Sequence, residues 1–205
     1  MTRNTDRAFD IITCELPKTI TFGNKENITL VTSTARAIDC LEVLADQVLT
    51  DEMKRLYCFD RLLIASPELT KKYKEEIWAY LLNYLKGPDV EQYEKANLPR
   101  SEEPIIYWAL DAQAIAASFR QAYGISLEEL RSMHFWEFSV LLSNIPGDTA
   151  IGRLFATRMS TEDPKMPPEQ KTRQREVKKA ARPKDKRSLE EKEAAFQQDL
   201  AAALD

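Results

Sequence analysis

The chain has 205 residues, of which 43% are hydrophobic and 30% charged, with 5 glycines and a formal net charge of −4. That apolar share is enough for one real core, and the shortage of glycine argues against a turn-rich sheet fold. No run approaches the roughly 18 consecutive apolar residues of a membrane span, and Met1–Arg7 leads into no long apolar stretch, so neither a membrane anchor nor a secretory leader is expected.

Charge varies along the chain. Residues 1–164 carry 18 basic and 25 acidic side chains, residues 165–187 carry ten basic and three acidic, and residues 188–205 carry one basic and five acidic. Cys14, Cys40 and Cys58 are widely spaced, with no Cys-x-x-Cys. They read as reduced, partly buried thiols.

The start of the chain reads as sheet. Leu16–Phe22 alternates apolar and polar residues, residues 23–27 have turn chemistry, and Ile28–Val31 is a second β-rich run, which predicts a hairpin. A hairpin alone is marginal in water and must rest on something. Helices follow. Thr34 is a candidate N-cap for a helix to about Val48 with Ile38, Leu41, Ala45 and Val48 on its apolar face, and Thr50 caps a second helix toward Ile64. Ser66-Pro67 opens a third, with Tyr73, Ile77, Leu81, Tyr84 and Leu85 on one face and Gly87-Pro88 as its stop.

Residues 88–104 are weakly patterned and proline-containing. They read as a connector with one helical turn near residues 89–93 and as a hinge candidate. In the next stretch Asp111 starts a helix with Ala112, Ile115, Phe119 and Ala122 on one side, ended by Tyr123-Gly124. Ser126-Leu127-Glu128-Glu129 is a capping box. His134 begins a helix containing Phe135, Trp136, Phe138, Leu141 and Leu142, and Asp148 can cap one carrying Ile151, Leu154 and Phe155. Beyond Arg158, Val177 is the sole large apolar residue between Glu169 and Arg182, so that basic segment is expected to be an isolated solvated helix or disordered. Ser188–Glu191 is a second capping box, and Leu189, Phe196, Leu200, Ala203 and Leu204 line one side of a final helix.

The expected fold is therefore mainly α. A short N-terminal β-hairpin packs on a helical bundle, followed by a basic, partly disordered linker and a C-terminal amphipathic helix. The divisions fall at 1–87, 88–104, 105–160, 161–187 and 188–205.

Residues suited to chemistry are few. A zinc site needs about four ligands, and His134 is the sole histidine, better explained by a local hydrogen bond at a helix start. No glycine-rich phosphate loop and no G-x-S-x-G elbow occurs. Carboxylates sit in helical charge patterns such as Lys74-Glu75-Glu76, which a solvated face explains. No enzyme, cofactor or metal is expected. The basic run 171–182 lacks the interleaved aromatics of a single-strand binder, so a protein contact or a solvated linker is preferred to nucleic acid. The aromatic group Tyr107, Trp108, Tyr123, Phe135, Trp136 and Phe138 reads as core, with partial exposure as the functional alternative.

One ordered set of features spans about fifty residues: Asp111-Ala112, Phe119, Tyr123-Gly124, Ser126–Glu129, His134-Phe135-Trp136-Glu137-Phe138, Leu141-Leu142, Pro146-Gly147-Asp148-Thr149, then Arg158 and a basic tail. This pattern resembles the bacteriophage gene-product-fifteen family of long-tailed phages. The departures are Phe135 in place of a second Trp, Gly147 in place of an acid, and the added segment 188–205.

The resemblance implies a non-catalytic tail-assembly chaperone in the host cytoplasm. Its implied partner is the tape measure protein, with the major tail protein and further copies of the same chain as additional candidates. The other role the resemblance leaves open is a structural tail component, such as a completion or connector protein. Grip on an amphipathic client helix is expected from Trp108, Tyr123, Phe135, Trp136 and Phe155, and from Leu189, Phe196 and Leu200 in the tail.

Overall fold

The N-terminal hairpin forms because alternation places Ile20, Ile28 and Leu30 on one side, where all three are buried. β1 (Thr19–Thr21) pairs antiparallel with β2 (Asn27–Leu30), with Ile20 opposite Ile28. The computed structural model describes residues 12, 14–22, 26–88, 104–182 and 194. The turn at 23–25, the helical turn near 89–93, and the final helix with Leu189, Phe196 and Leu200 lie outside the described residues.

Nine helices and three strands make up the described residues, a mainly α fold with a small sheet. α1 (Thr34–Ala45) begins one residue earlier than its sequence suggests. Ser33 is the N-cap, because its extended backbone bridges to His134, while the Thr34 N–H and hydroxyl both donate to Met133 O at 2.8 and 3.0 Å. The helix stops at Ala45 rather than Val48, since Asp46 is extended and its carboxylate accepts from the Val48 N–H at 2.7 Å. Its buried face is Thr34, Ala37 and Cys40; Ile38 and Leu41 flank it, and Ala45 is exposed.

Thr50 caps α2 (Asp51–Leu62) by accepting from the Met53 N–H. The helix ends at Leu62, because Leu63–Ile64 turns into β3, a third strand unforeseen in the sequence, which pairs with β2. Ser66 caps α3 (Pro67–Lys72) as its side chain and the following proline predict. The expected single helix is broken at Tyr73, and α4 (Lys74–Lys86) begins anew. The Tyr73 ring stacks on Phe22 at 4.1 Å and its hydroxyl donates to Glu26, so docking of the hairpin takes Tyr73 out of helical geometry. Gly87 ends α4 at φ 94°, backbone that glycine adopts without a Cβ clash.

α5 (Trp108–Tyr123) starts three residues before Asp111. Asp111 lies inside the first turn and its carboxylate reaches back to the Tyr107 N–H at 2.9 Å. The buried face is Asp111, Ile115, Ser118 and Phe119; Ala112 is exposed. The Ser126–Glu129 box closes both ways at the start of α6 (Leu127–Ser132). α7 (Phe135–Ser143) and α8 (Ala150–Met159) follow. Thr149, not Asp148, caps α8. Its buried hydroxyl accepts from the Gly152 N–H and donates to Pro146 O, satisfying donor and acceptor together.

The N-terminal and central parts share one core. Leu62, Ile77, Leu81 and Tyr84 belong to the same buried cluster as Phe119, Phe138 and Ile151, and each such side chain contributes about 1.5–3 kcal/mol by burial. The basic segment forms α9 (Pro168–Ala180), with no buried residue. It is solvated but not isolated. Arg175 pairs with Glu162, Lys178 donates to Ser160 O at 2.9 Å, and Arg158 Nε donates to Ala181 O at 2.8 Å.

Candidate partner-binding site

The aromatic residues expected to grip a client mostly hold the protein to itself. Phe135 is 3% exposed and belongs to the core, so it is not available to a partner. It is the first residue of α7, and the segment before it pairs with residues 32–34, which turns its ring inward. Trp136 is half-buried. Its indole N–H donates to Tyr84 O at 2.9 Å and its ring lies 5.8 Å from that of Tyr84, so it clasps the end of α4 to α7. The Tyr123 hydroxyl donates to Leu141 O in the last turn of α7 at 2.8 Å and to Asn144 O at its C-cap at 3.2 Å. Trp108 packs at 6.3 Å from Phe138, and Phe155 is partly buried against the core. The structure therefore strings Trp108, Tyr123 and Phe135 along Phe119 and Phe138, with Trp136 at one end.

His134 occupies the position foreseen for it. Nδ1 accepts from the Trp136 N–H at 3.1 Å and caps α7, while Nε2 lies 3.0 Å from Pro17 O. The two bonds together require a neutral ring protonated on Nε2. Burial pushes its pKa below the usual histidine value of 6.5, consistent with that state.

Two troughs instead present apolar surface outward. The first, about 440 Å³, runs between α2, β3, α3 and the start of α4. Its apolar lining is Leu56, Phe59, Leu63, Ala65 and Pro67, and its polar lining Asp60, Thr70, Lys71 and Lys74. Leu56 is 55% exposed, and Ile64, next to Leu63 in sequence, is 66% exposed. Lys74 is engaged with Glu52 at 2.6 Å.

The sequence held a signal for this trough. Leu56 lies three residues before Phe59, which is buried together with Tyr57, Cys58 and Leu62, and Leu63 follows in β3. Phe59 is buried and Leu56 exposed, so the apolar surface continues outward from the core.

The second trough, about 530 Å³, lies between α8 and α9, lined by Ala156, Thr157, Ser160, Met166, Gln170, Arg173, Gln174 and Val177. Among the described residues no group of three or more His, Cys, Asp or Glu side chains is placed to hold a metal ion, and no helix is long and apolar enough to cross a membrane. Cys40 and Cys58 are fully buried and unbridged. Their mutual hydrogen bond, then burial, pushes the Cys40 thiol far above its ordinary value.

The family model described as bacteriophage Gp15 protein matches residues 14–182, and the chain belongs to that family. Membership makes it a bacteriophage protein and points to a structural or tail-related one. No curated protein and no solved structure is significantly similar to the chain.

Proposed function

We propose that this is a tail-assembly chaperone that binds the tape measure protein in the host cytoplasm, through apolar helix-in-groove contacts and without catalysis. The observation that carries the reading is an open apolar trough, lined by Leu56, Phe59 and Leu63, on a chain of this phage family. A tape measure protein is long, helical and apolar enough to aggregate before the tail tube closes around it. An amphipathic client helix lays its i, i+3 and i+4 side chains along such a trough. The exposed Lys71 in its lining favours an acidic residue on the client's flank. Many copies of modest affinity along one client hold it through effective concentration rather than through any single tight site. The major tail protein and further copies of this chain are the next candidates for the same surface.

Co-expression with consecutive fragments of the tape measure protein tests this. At least one fragment is expected to co-purify, and finished particles are expected to lack the protein. Failure to capture any fragment, or stoichiometric copies in purified virions, overturns the reading. The latter result identifies a structural tail component instead.

A further inference from the structure

We propose that the trough between α8 and α9 is covered by this chain's own residues 188–205, folded back in cis as an amphipathic helix. This goes beyond the client reading and does not depend on it.

The trough is a helical seat. Met166, Gln170, Arg173, Gln174 and Val177 recur at i, i+4, i+7, i+8 and i+11 and so fall along one face of α9 and the turn before it, while Ala156, Thr157 and Ser160 supply the α8 wall. Val177 is 50% exposed there although it is the one large apolar side chain of α9. Gln174 Oε1 is buried in the wall and accepts no hydrogen bond among the described residues. A seat with exposed apolar side chains and an unused buried acceptor is built to be occupied.

Charge and chain length select the occupant. Among the described residues Arg173 and Lys179 have no acidic partner, and residues 165–187 carry ten basic against three acidic side chains. Residues 188–205 carry five acidic against one basic, with Glu190, Glu191, Glu193 and Asp199 flanking the stripe of Leu189, Phe196, Leu200 and Leu204. Opposite charge thus lies on the two segments that the chain places next to each other.

α9 ends at Ala180. Residues 183–187 span at most about 17 Å when extended. An antiparallel helix neighbour needs an offset of only about 8–10 Å. Eighteen helical residues are about 27 Å long, against about 20 Å for the thirteen of α9, so the segment covers the whole seat. The family match covers residues 14–182 and does not include this segment.

Amide hydrogen exchange on the full-length protein tests the proposal. Replacing Phe196→Asp together with Leu200→Asp is expected to speed exchange across 168–180 at least about tenfold, a local stability change of about 1.4 kcal/mol. Exchange in α4 and α5, read in the same experiment, stays at the wild-type rate and shows that the core is intact. Val177→Glu, made separately on the opposite side of the contact, gives the same loss of protection. Protection in the wild type is expected to be independent of protein concentration and to weaken in high salt. Unchanged exchange in both variants overturns the proposal. So does protection that falls on dilution, which makes the occupant a second copy.

Discussion

Asp111 and Arg158 form a two-pronged ion pair inside the protein, with Nη1 at 2.5 Å and Nη2 at 2.8 Å from the two carboxylate oxygens. Both residues are almost fully buried. The remaining donors of Arg158 reach Ile105 O and Ala181 O, and its guanidinium lies 5.0 Å from the Tyr107 ring. One side chain therefore ties together the start of α5, the end of α8 and the end of α9. A buried pair of this kind gains little over an apolar replacement, but removing one partner strands a charge.

Asp111→Asn is accordingly expected to destabilise the protein by about 3–5 kcal/mol. At this chain length that lowers Tm by about 6–20 °C. Arg158→Lys is expected to fall in the same range, because an ammonium cannot make the paired contact and reach both carbonyls. Thermal unfolding of the two single variants and the double variant measures the coupling. A loss under about 1 kcal/mol in either single variant contradicts the role assigned here.

Gly152 is a second point of low tolerance. A Cβ there falls 2.3 Å from Pro146 O and 2.9 Å from Gly147 Cα, both backbone. Gly152→Ala must displace the turn that Thr149 caps, and a loss of about 1–3 kcal/mol is expected from overpacking. Gly147→Ala meets nothing within 4 Å and serves as the control, with little change in the unfolding midpoint.

Acid should loosen the joint between hairpin and α7. The folded pKa of His134 lies below its ordinary value, with burial as the chief cause. The unfolded chain therefore binds the proton first as pH drops. Stability is present in full above the unfolded value, about 6.5, and is lost as pH falls below it toward the folded pKa. His134→Gln is expected to remove that part of the pH dependence between pH 7 and pH 5 in denaturant titrations. An identical slope in both proteins contradicts the assignment.

Thiol reactivity offers a check on the core. Cys14 is exposed, whereas Cys40 and Cys58 are fully buried and Cys40 is held as the thiol. A thiol reagent is expected to label one cysteine rapidly in the native protein and the other two only at the rate of unfolding. Rapid labelling of all three contradicts the described packing.

Much of the fold was legible because its signals are local. The Ser126 box, the Thr50 and Ser66 caps, the Gly87 stop and the His134 helix start each involve groups within four residues of one another. What escaped was set by distant partners. Thr34 is drawn into the helix by Met133, Tyr73 is pulled from it by Phe22 and Glu26, and Leu63–Ile64 becomes strand because β2 offers an open edge. Asp111 and Arg158 both belonged to the family pattern, yet a separation of 47 positions concealed that they meet. The aromatics were visible as a group, but the carbonyls that receive Trp136 and Tyr123 were not, and these turn grip residues into clasps. The α2 trough was signalled by Leu56, Phe59 and Leu63 in close succession and was overshadowed by richer aromatic signals.

The claim that an apolar trough grips the tape measure protein is tested most directly by fragment capture with surface variants. Leu56→Asp and Lys71→Glu alter exposed trough residues and are expected to keep the wild-type unfolding midpoint. Leu56→Asp is expected to weaken capture at least about tenfold, roughly 1.4 kcal/mol, and Lys71→Glu by a smaller, salt-dependent amount. Undiminished capture by a folded Leu56→Asp protein contradicts the account.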